Sequence, residues 1–291
     1  MASTSNIDKV SHLVASGIRR LPGRAGTDSG RGWANAQTSP ASAPAAAKPA
    51  APKETPPERA RRLGYVVHGE FKLKVAYKAD VISDRVIDTI EKGAYERFEG
   101  RRSKNFVVDG DRIVELGSGL GFLSALIMTN HAIADYQLVE ADPRLVEMIE
   151  RTHALNNVSG PKTINSCVAT CHAEMIADGS VDFFVGEKFC ASSLMGARNL
   201  KHTVQVPVVS LPDLIAEHES NVLLCDIEGS EVDIFNGTPL DGINKVLMEL
   251  HPHRIGQEGV RDIWRSLDAQ DFVYDADGSA GGVCAFRRLG F

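Results

Sequence analysis

The sequence predicts an α/β fold. Its centre is a Rossmann-like, mostly parallel sheet of seven strands with an antiparallel terminal strand and a β-hairpin inserted before the fourth core strand. Three observations lead there. Arg112-Ile113-Val114-Glu115-Leu116 reads as a short apolar strand and runs into glycines at every second position, Gly117, Gly119 and Gly121. Strand-like and helix-like segments then alternate, which implies a parallel sheet covered on both faces. The chain closes on two strand-like segments, 272–275 and 282–287, that read as an antiparallel pair.

Composition narrows the class. With 291 residues, 43% hydrophobic and 24% charged, the chain has the balance of a globular protein. Its apolar runs, such as 123–128 and 221–225, are far too short to span a bilayer. No apolar stretch near the N-terminus resembles a secretion signal, so a cytoplasmic location is expected. The five cysteines, Cys167, Cys171, Cys190, Cys225 and Cys284, are scattered and odd in number, as expected of reduced thiols. Cys167, Cys171 and His172 lack a second cluster that would complete a zinc site. Residues 1–62 hold ten basic and four acidic side chains, and the remainder 22 and 34. An acidic folded part argues against a nucleic-acid backbone as substrate. It suits a cationic cofactor or a neutral acceptor.

In order along the chain, Ile7, Val10, Leu13, Val14, Ile18 and Leu21 recur at helical spacing with Lys9, Arg19 and Arg20 around them. This is a candidate basic amphipathic helix over 7–21, able to touch a partner or a membrane surface. Residues 22–58, rich in Gly, Ser, Ala and Pro, read as a disordered linker. The folded domain is therefore expected over 63–291. Residues 65–75 read as a hairpin. A helix starts at Ser83-Asp84 and carries Val86, Ile87, Ile90, Ala94, Tyr95 and Phe98. After the strand at 112–116 come a helix over 120–130, a strand over 136–140, a helix from Pro143 to about 155, and a strand over 163–169. Residues 181–186 and 202–209 form the inserted hairpin around a polar loop with Ala191-Ser192-Ser193. Residues 211–218 read as helix, 221–226 as the fourth core strand, 245–250 as the fifth, and 258–268 as helix. Five parallel strands and a closing pair fit the sheet of class I methyltransferases better than an all-parallel dinucleotide fold.

The glycine spacing is G-x-G-x-G, and Phe122 stands where a dinucleotide fingerprint, G-x-G-x-x-G, would have its third glycine. Glu115 beside the turn suits S-adenosylmethionine, which carries an ammonium and a sulfonium and no phosphate. Glu140, 19 residues beyond Gly121 at a strand tip, can accept from both hydroxyls of a ribose. Asp142 before Pro143 reads as a helix cap. Cys225-Asp226-Ile227-Glu228-Gly229-Ser230-Glu231 crowds three carboxylates at a strand end, a costly density unless a cation or a proton-transfer task balances it.

These motifs, in order Glu115-Leu116-Gly117-Ser118-Gly119-Leu120-Gly121, Val139-Glu140-Ala141-Asp142-Pro143 and Asp226-Ile227-Glu228-Gly229-Ser230-Glu231, resemble the FkbM family of S-adenosylmethionine-dependent methyltransferases over roughly residues 83–255. Two positions depart from many members: Leu224 replaces a lysine, and Glu115 replaces an aspartate. The resemblance implies S-adenosyl-L-methionine as cofactor and methylation of a hydroxyl on a small metabolite or glycan; from the acidic charge of the folded part, no nucleic-acid partner is expected. Glu115, Gly117, Gly119, Gly121, Glu140 and Asp226 are the expected cofactor residues. Asp226, Glu228 and His251 are the candidates for taking the hydroxyl proton. No metal is expected, although Asp226, Glu228 and His251 also have the donor atoms to hold a divalent ion. Two alternatives stay open on the residues alone: a nicotinamide-dependent oxidoreductase and a non-catalytic binding module.

Overall fold

The computed structural model of the protein describes residues 54–160, 162–165, 167–187, 194 and 200–291. The helix expected at 7–21, most of the linker over 22–58, Cys190 and the Ala191-Ser192-Ser193 loop lie outside them.

The domain begins earlier than the composition implied. Helix α1 spans Pro56–Leu63. Two prolines that read as linker occupy its first turn, where the missing N–H costs nothing. Glu58 accepts from the Thr55 backbone N–H at 2.8 Å, and Gly64, at φ 75°, ends the helix. Ala60 is buried and Arg59 pairs with Glu91 at 2.7 Å. Strands β1 (Tyr65–Val67) and β2 (Lys74–Ala76) form the expected hairpin. The single helix expected after Ser83 is two: α2 (Asp84–Glu91) and α3 (Arg97–Phe106). Gly93, at φ 68°, breaks the run because it packs on the backbone of residues 69 and 70, where a Cβ would lie 2.7 Å from the Glu70 nitrogen.

The alternating part follows as β3 (Arg112–Leu116), α4 (Phe122–Asn130), β4 (Asp135–Val139), α5 (Pro143–Leu155) and β5 (Thr163–Asn165). Next come β6 (Val168–Thr170), α6 (Ala173–Asp178), β7 (Ser180–Gly186), β8 (Leu200–Ser210) and α7 (Leu211–Glu217). The chain ends with β9 (Val222–Cys225), α8 (Glu231–Phe235), β10 (Lys245–Glu249), α9 (Pro252–Asp268), β11 (Phe272–Ala280) and β12 (Val283–Arg288). The main sheet has the order β11-β12-β10-β9-β3-β4-β5. β5, β4, β3, β9 and β10 pair in parallel, and β12 runs antiparallel between β10 and β11. The fold is thus the Rossmann-like, seven-stranded α/β sheet expected.

Central strands are buried on both faces. All four residues of β9 are buried, as are the last four of β3, and both strands are apolar runs for that reason. Helix α4 buries every residue from Phe122 to Met128, since sheet, α3 and α5 enclose it. One expected strand is divided. Residues 163–165 stay with β4 in the main sheet, whereas Val168, Ala169 and Thr170 pair in parallel with Val208, Val209 and Ser210 of β8. The long β8 reaches across from the inserted hairpin and draws those three buried residues into a second sheet, β6-β8-β7. Helix α9 also starts earlier than expected, at Pro252, and is interrupted at Gly256 (φ 69°).

Candidate active site

Parallel strands bring their carboxyl ends to one edge, and ligand crevices of open α/β sheets form there. A cavity of about 750 Å³ opens at that edge. Its floor is Leu116, Gly117, Gly119, Val139, Glu140 and Asp226. One wall comes from Tyr95, Glu96, Arg97 and Glu99 around the start of α3, another from Val168, Met175, Val181 and Phe183 of the inserted region.

The glycine turn holds one side. At Gly117 (φ 82°) a Cβ would stand 1.8 Å from the Asp226 carbonyl oxygen, so only glycine lets the tips of β3 and β9 meet this closely. Gly119 donates its N–H to Glu140 Oε2 at 2.8 Å. Glu140 Oε1 accepts from the Asp142 N–H at 2.8 Å. Backbone donors of Gly119, Asp142 and Ala141 thereby hold this buried carboxylate in place. Burial nevertheless pushes Glu140 up to about 7, against the lowering effect of those bonds. Asp142 caps α5 as expected, accepting from the Arg144 N–H at 3.0 Å.

Two of the residues expected at the cofactor, Glu115 and Gly121, do not line this cavity. Glu115 does not line the main cavity but a small neighbouring one, which shares Glu96, Glu99, Gly117, Asp226 and Glu249 with it, and it accepts from the Tyr136 hydroxyl at 2.6 Å. Burial pushes it up to about 7. Alternation along β3 explains this: Leu116 points to the cavity floor, so Glu115 points to the other face. Gly121 caps α4 at φ 71° and lies against α5, where a Cβ would come within 2.9 Å of the Ile149 Cα. Its smallness serves helix packing and it does not line the cavity.

The opposite side is acidic. Asp226, Glu228 and His251 come together as expected, with two further acids around them. Glu231, fully buried, accepts from His251 Nδ1 at 2.6 Å and from the Gly229 N–H at 3.0 Å. That fixes the imidazole so that Nε2 faces Asp226 Oδ1 at 3.8 Å, Glu228 Oε2 at 3.7 Å and Glu249 Oε2 at 3.8 Å. Asp226 Oδ1 is buried and has no hydrogen-bond partner among the described residues. Burial, then the charges of Glu249, Glu96, Glu228 and Glu99, hold Asp226 well above the usual carboxylate range. Burial opposes a charge on His251, but Glu231, Glu228 and Glu249 outweigh it and raise its pKa. Glu228 sits at φ 53°, a left-handed conformation unusual for a glutamate, and its Oε2 lies 3.2 Å from Arg254.

Glu96, Glu99 and Glu249 also line the cavity and were not singled out from the sequence. Glu249 had a readable signal, an acid at a strand end two residues before His251. Glu96 and Glu99 had none, because the left-handed turn at Glu96 (φ 42°) that aims them inward is set by the break between α2 and α3. Burial, together with neighbouring acids, raises both of their pKa values.

Solved structures with a similar fold include a protein of the NADB-Rossmann superfamily from Streptococcus agalactiae, 11% identical over 65% of this chain and 67% of that chain, with a TM-score of 0.39. A putative rRNA methylase from Clostridium thermocellum is 10% identical over 66% of this chain and 93% of that one, TM-score 0.35. A ribosomal protein L11 methylase from Lactobacillus delbrueckii subsp. bulgaricus is 13% identical over 68% and 80%, TM-score 0.39. No curated protein sequence matches the chain. The sequence profile of the methyltransferase FkbM domain matches residues 128–274, half of the chain, which carry Glu140, the acidic strand end at Asp226 and His251. The chain belongs to the FkbM methyltransferase family.

Proposed function

We propose that this methyltransferase moves a methyl group from S-adenosylmethionine to a hydroxyl of a small metabolite or glycan. The observation that carries the reading is the cavity's division into a backbone-fixed carboxylate at Glu140 and an acid–histidine cluster at Asp226. The residues fit the cofactor. Glu140 presents its carboxylate on the cavity floor to a ribose diol, Gly117 and Gly119 leave the floor open, and the surrounding carboxylates complement a cation. S-adenosylmethionine, when bound, supplies an electrophilic methyl on its sulfonium. About 750 Å³ lies within the roughly 300–1,000 Å³ span of small-molecule sites.

Methylation of a hydroxyl forms an O–C bond, breaks the S–C bond with its electron pair passing to sulfur, and releases the hydroxyl proton. The chain's task is to align the hydroxyl and receive that proton. Asp226, Glu228 and His251 are the receiving groups. Burial and the neighbouring acids raise the proton affinity of Asp226, and the acids around His251 raise that of the imidazole. An amine acceptor is a second reading, favoured by the carboxylates of Glu96, Glu99, Asp226, Glu228 and Glu249 on one cavity.

Incubation with methyl-labelled donor and fractionated small metabolites tests both readings. Label in a product one methyl group heavier, on oxygen by fragmentation, supports the first, and label on nitrogen the second. Asp226→Asn and Glu228→Gln are expected to lower the transfer rate by 100-fold or more. Folded protein that binds the donor and transfers nothing to any fraction sinks both and leaves a binding module.

A further inference from the structure

We propose that Asp226, Glu249 and His251 form a binding site for one divalent metal cation at the acidic end of the cavity. The use of such an ion rests on the reading of the cavity as a methyl-transfer site; its binding does not.

One nitrogen and two carboxylate oxygens converge on a single point. His251 Nε2 lies 3.8 Å from Asp226 Oδ1 and 3.8 Å from Glu249 Oε2, and the donor atoms of the three residues all lie within 4.8 Å of one another. Ligand atoms bound to one ion at about 2.0–2.2 Å stand at most roughly 4.4 Å apart, so small side-chain shifts close the set. The three come from adjacent strand ends, β9 and β10, whose spacing the sheet fixes.

Hydrogen bonding leaves the arrangement unexplained. A protonated imidazole among carboxylates draws one of them to about 2.7–2.9 Å. Here Nε2 stays 3.7–3.8 Å from three carboxylate oxygens, beyond hydrogen-bond range of each. The His251 side chain is only 9% exposed, and its Nε2 makes no hydrogen bond to the described residues. Asp226 Oδ1, pointing at the same place, is buried without a partner. A buried carboxylate oxygen left without a partner, aimed at the same point as a histidine nitrogen, is what a missing ligand leaves.

The surroundings agree. A histidine that ligates a metal through Nε2 donates its Nδ1–H to a carboxylate, which fixes ring and tautomer. Glu231 does this at 2.6 Å and is itself anchored by the Gly229 N–H. Arg254 lies 3.2 Å from Glu228, and among the described residues no lysine or arginine pairs with Asp226 or Glu249. A mixed set of one imidazole and two carboxylates suits manganese, iron, cobalt or zinc better than calcium or magnesium. With an ion there, His251 acts as a ligand, the ion draws the acceptor oxygen toward the cluster, and Glu228 is left to take the proton.

The test is a titration of chelator-stripped full-length protein with Mn²⁺, reading free ion by its electron paramagnetic resonance signal. One ion per chain is expected. Glu249→Gln, at a half-exposed ligand, is expected to weaken binding by more than tenfold. Glu231→Gln, which does not touch the ion, is expected to weaken it by about 10- to 100-fold. Thermal melts verify that each variant is folded; should Glu231→Gln fail to fold, Glu249→Gln decides. No Mn²⁺ bound by the wild-type chain, or affinity unchanged in Glu249→Gln, overturns the proposal. Calorimetry of S-adenosylmethionine in chelator reports on the cofactor reading alone, so loss of that binding with Mn²⁺ binding intact sinks the cofactor reading and spares this one.

Discussion

Glu140 and Glu115 are both buried glutamates held near pH 7, and they make opposite points about single residues. Glu140 was readable because a strand tip and a following proline fix its place. In Glu140→Gln the carboxamide must turn a donor toward the N–H of Gly119 or Asp142. A lost charge-assisted hydrogen bond is worth about 1.5–3 kcal/mol, so donor affinity is expected to fall roughly 10- to 100-fold by calorimetry. Wild-type affinity is expected to weaken as pH falls from 8 to 6, because protonation below about 7 removes the acceptor. Affinity that is flat across this range contradicts the role of Glu140. Glu115 was less legible because a sequence does not say which face of a strand an acid takes when both faces are buried. Its carboxyl is raised to about 7 in the fold against an ordinary 4.5, so folding favours its protonated form and it subtracts stability as pH rises through that window. Glu115→Gln has no such penalty. Its melting temperature relative to wild type is therefore expected to rise between pH 4.5 and 8, by an amount equivalent to at most about 3 kcal/mol. A difference that does not change with pH removes the assignment.

At the scale of elements, the turn from β3 to α4 was legible because glycine spacing reports backbone geometry directly. Its three glycines nevertheless do different work. Gly117→Ala sets a Cβ against the Asp226 carbonyl oxygen and is expected to push β3 and β9 apart, costing about 1–3 kcal/mol and the cavity floor with it. Gly121→Ala meets the Ile149 backbone instead. It is expected to cost similar stability while leaving donor affinity within about threefold. Chemical denaturation and calorimetry separate the two, and equal loss of affinity in both would contradict the division. The break between α2 and α3 and the division of residues 163–170 between two sheets were illegible. Both are decided by distant partners, residues 69–70 and β8, which local periodicity does not contain.

For the molecule as a whole, residues 54–291 contain the full sheet, its covering helices and the cavity. A chain cut to these residues is expected to unfold in one cooperative transition and to bind the donor. Non-cooperative melting would show that the core needs more of the sequence. No described helix is long and apolar enough to cross a membrane. The alternation of strands and helices was enough to foresee the sheet, and the acid-rich strand end at 226–231 was enough to foresee one end of the cavity. The rest of that cavity, with Glu96, Glu99 and Glu249, depends on how three separate elements meet. The most direct test of the account is transfer of a labelled methyl group by wild-type protein and Asp226→Asn, compared under identical conditions with donor affinity measured alongside. The account predicts label in a hydroxyl-bearing product with the wild type, a rate at least 100-fold lower in Asp226→Asn, and donor binding in both. Transfer by Asp226→Asn at the wild-type rate would contradict it.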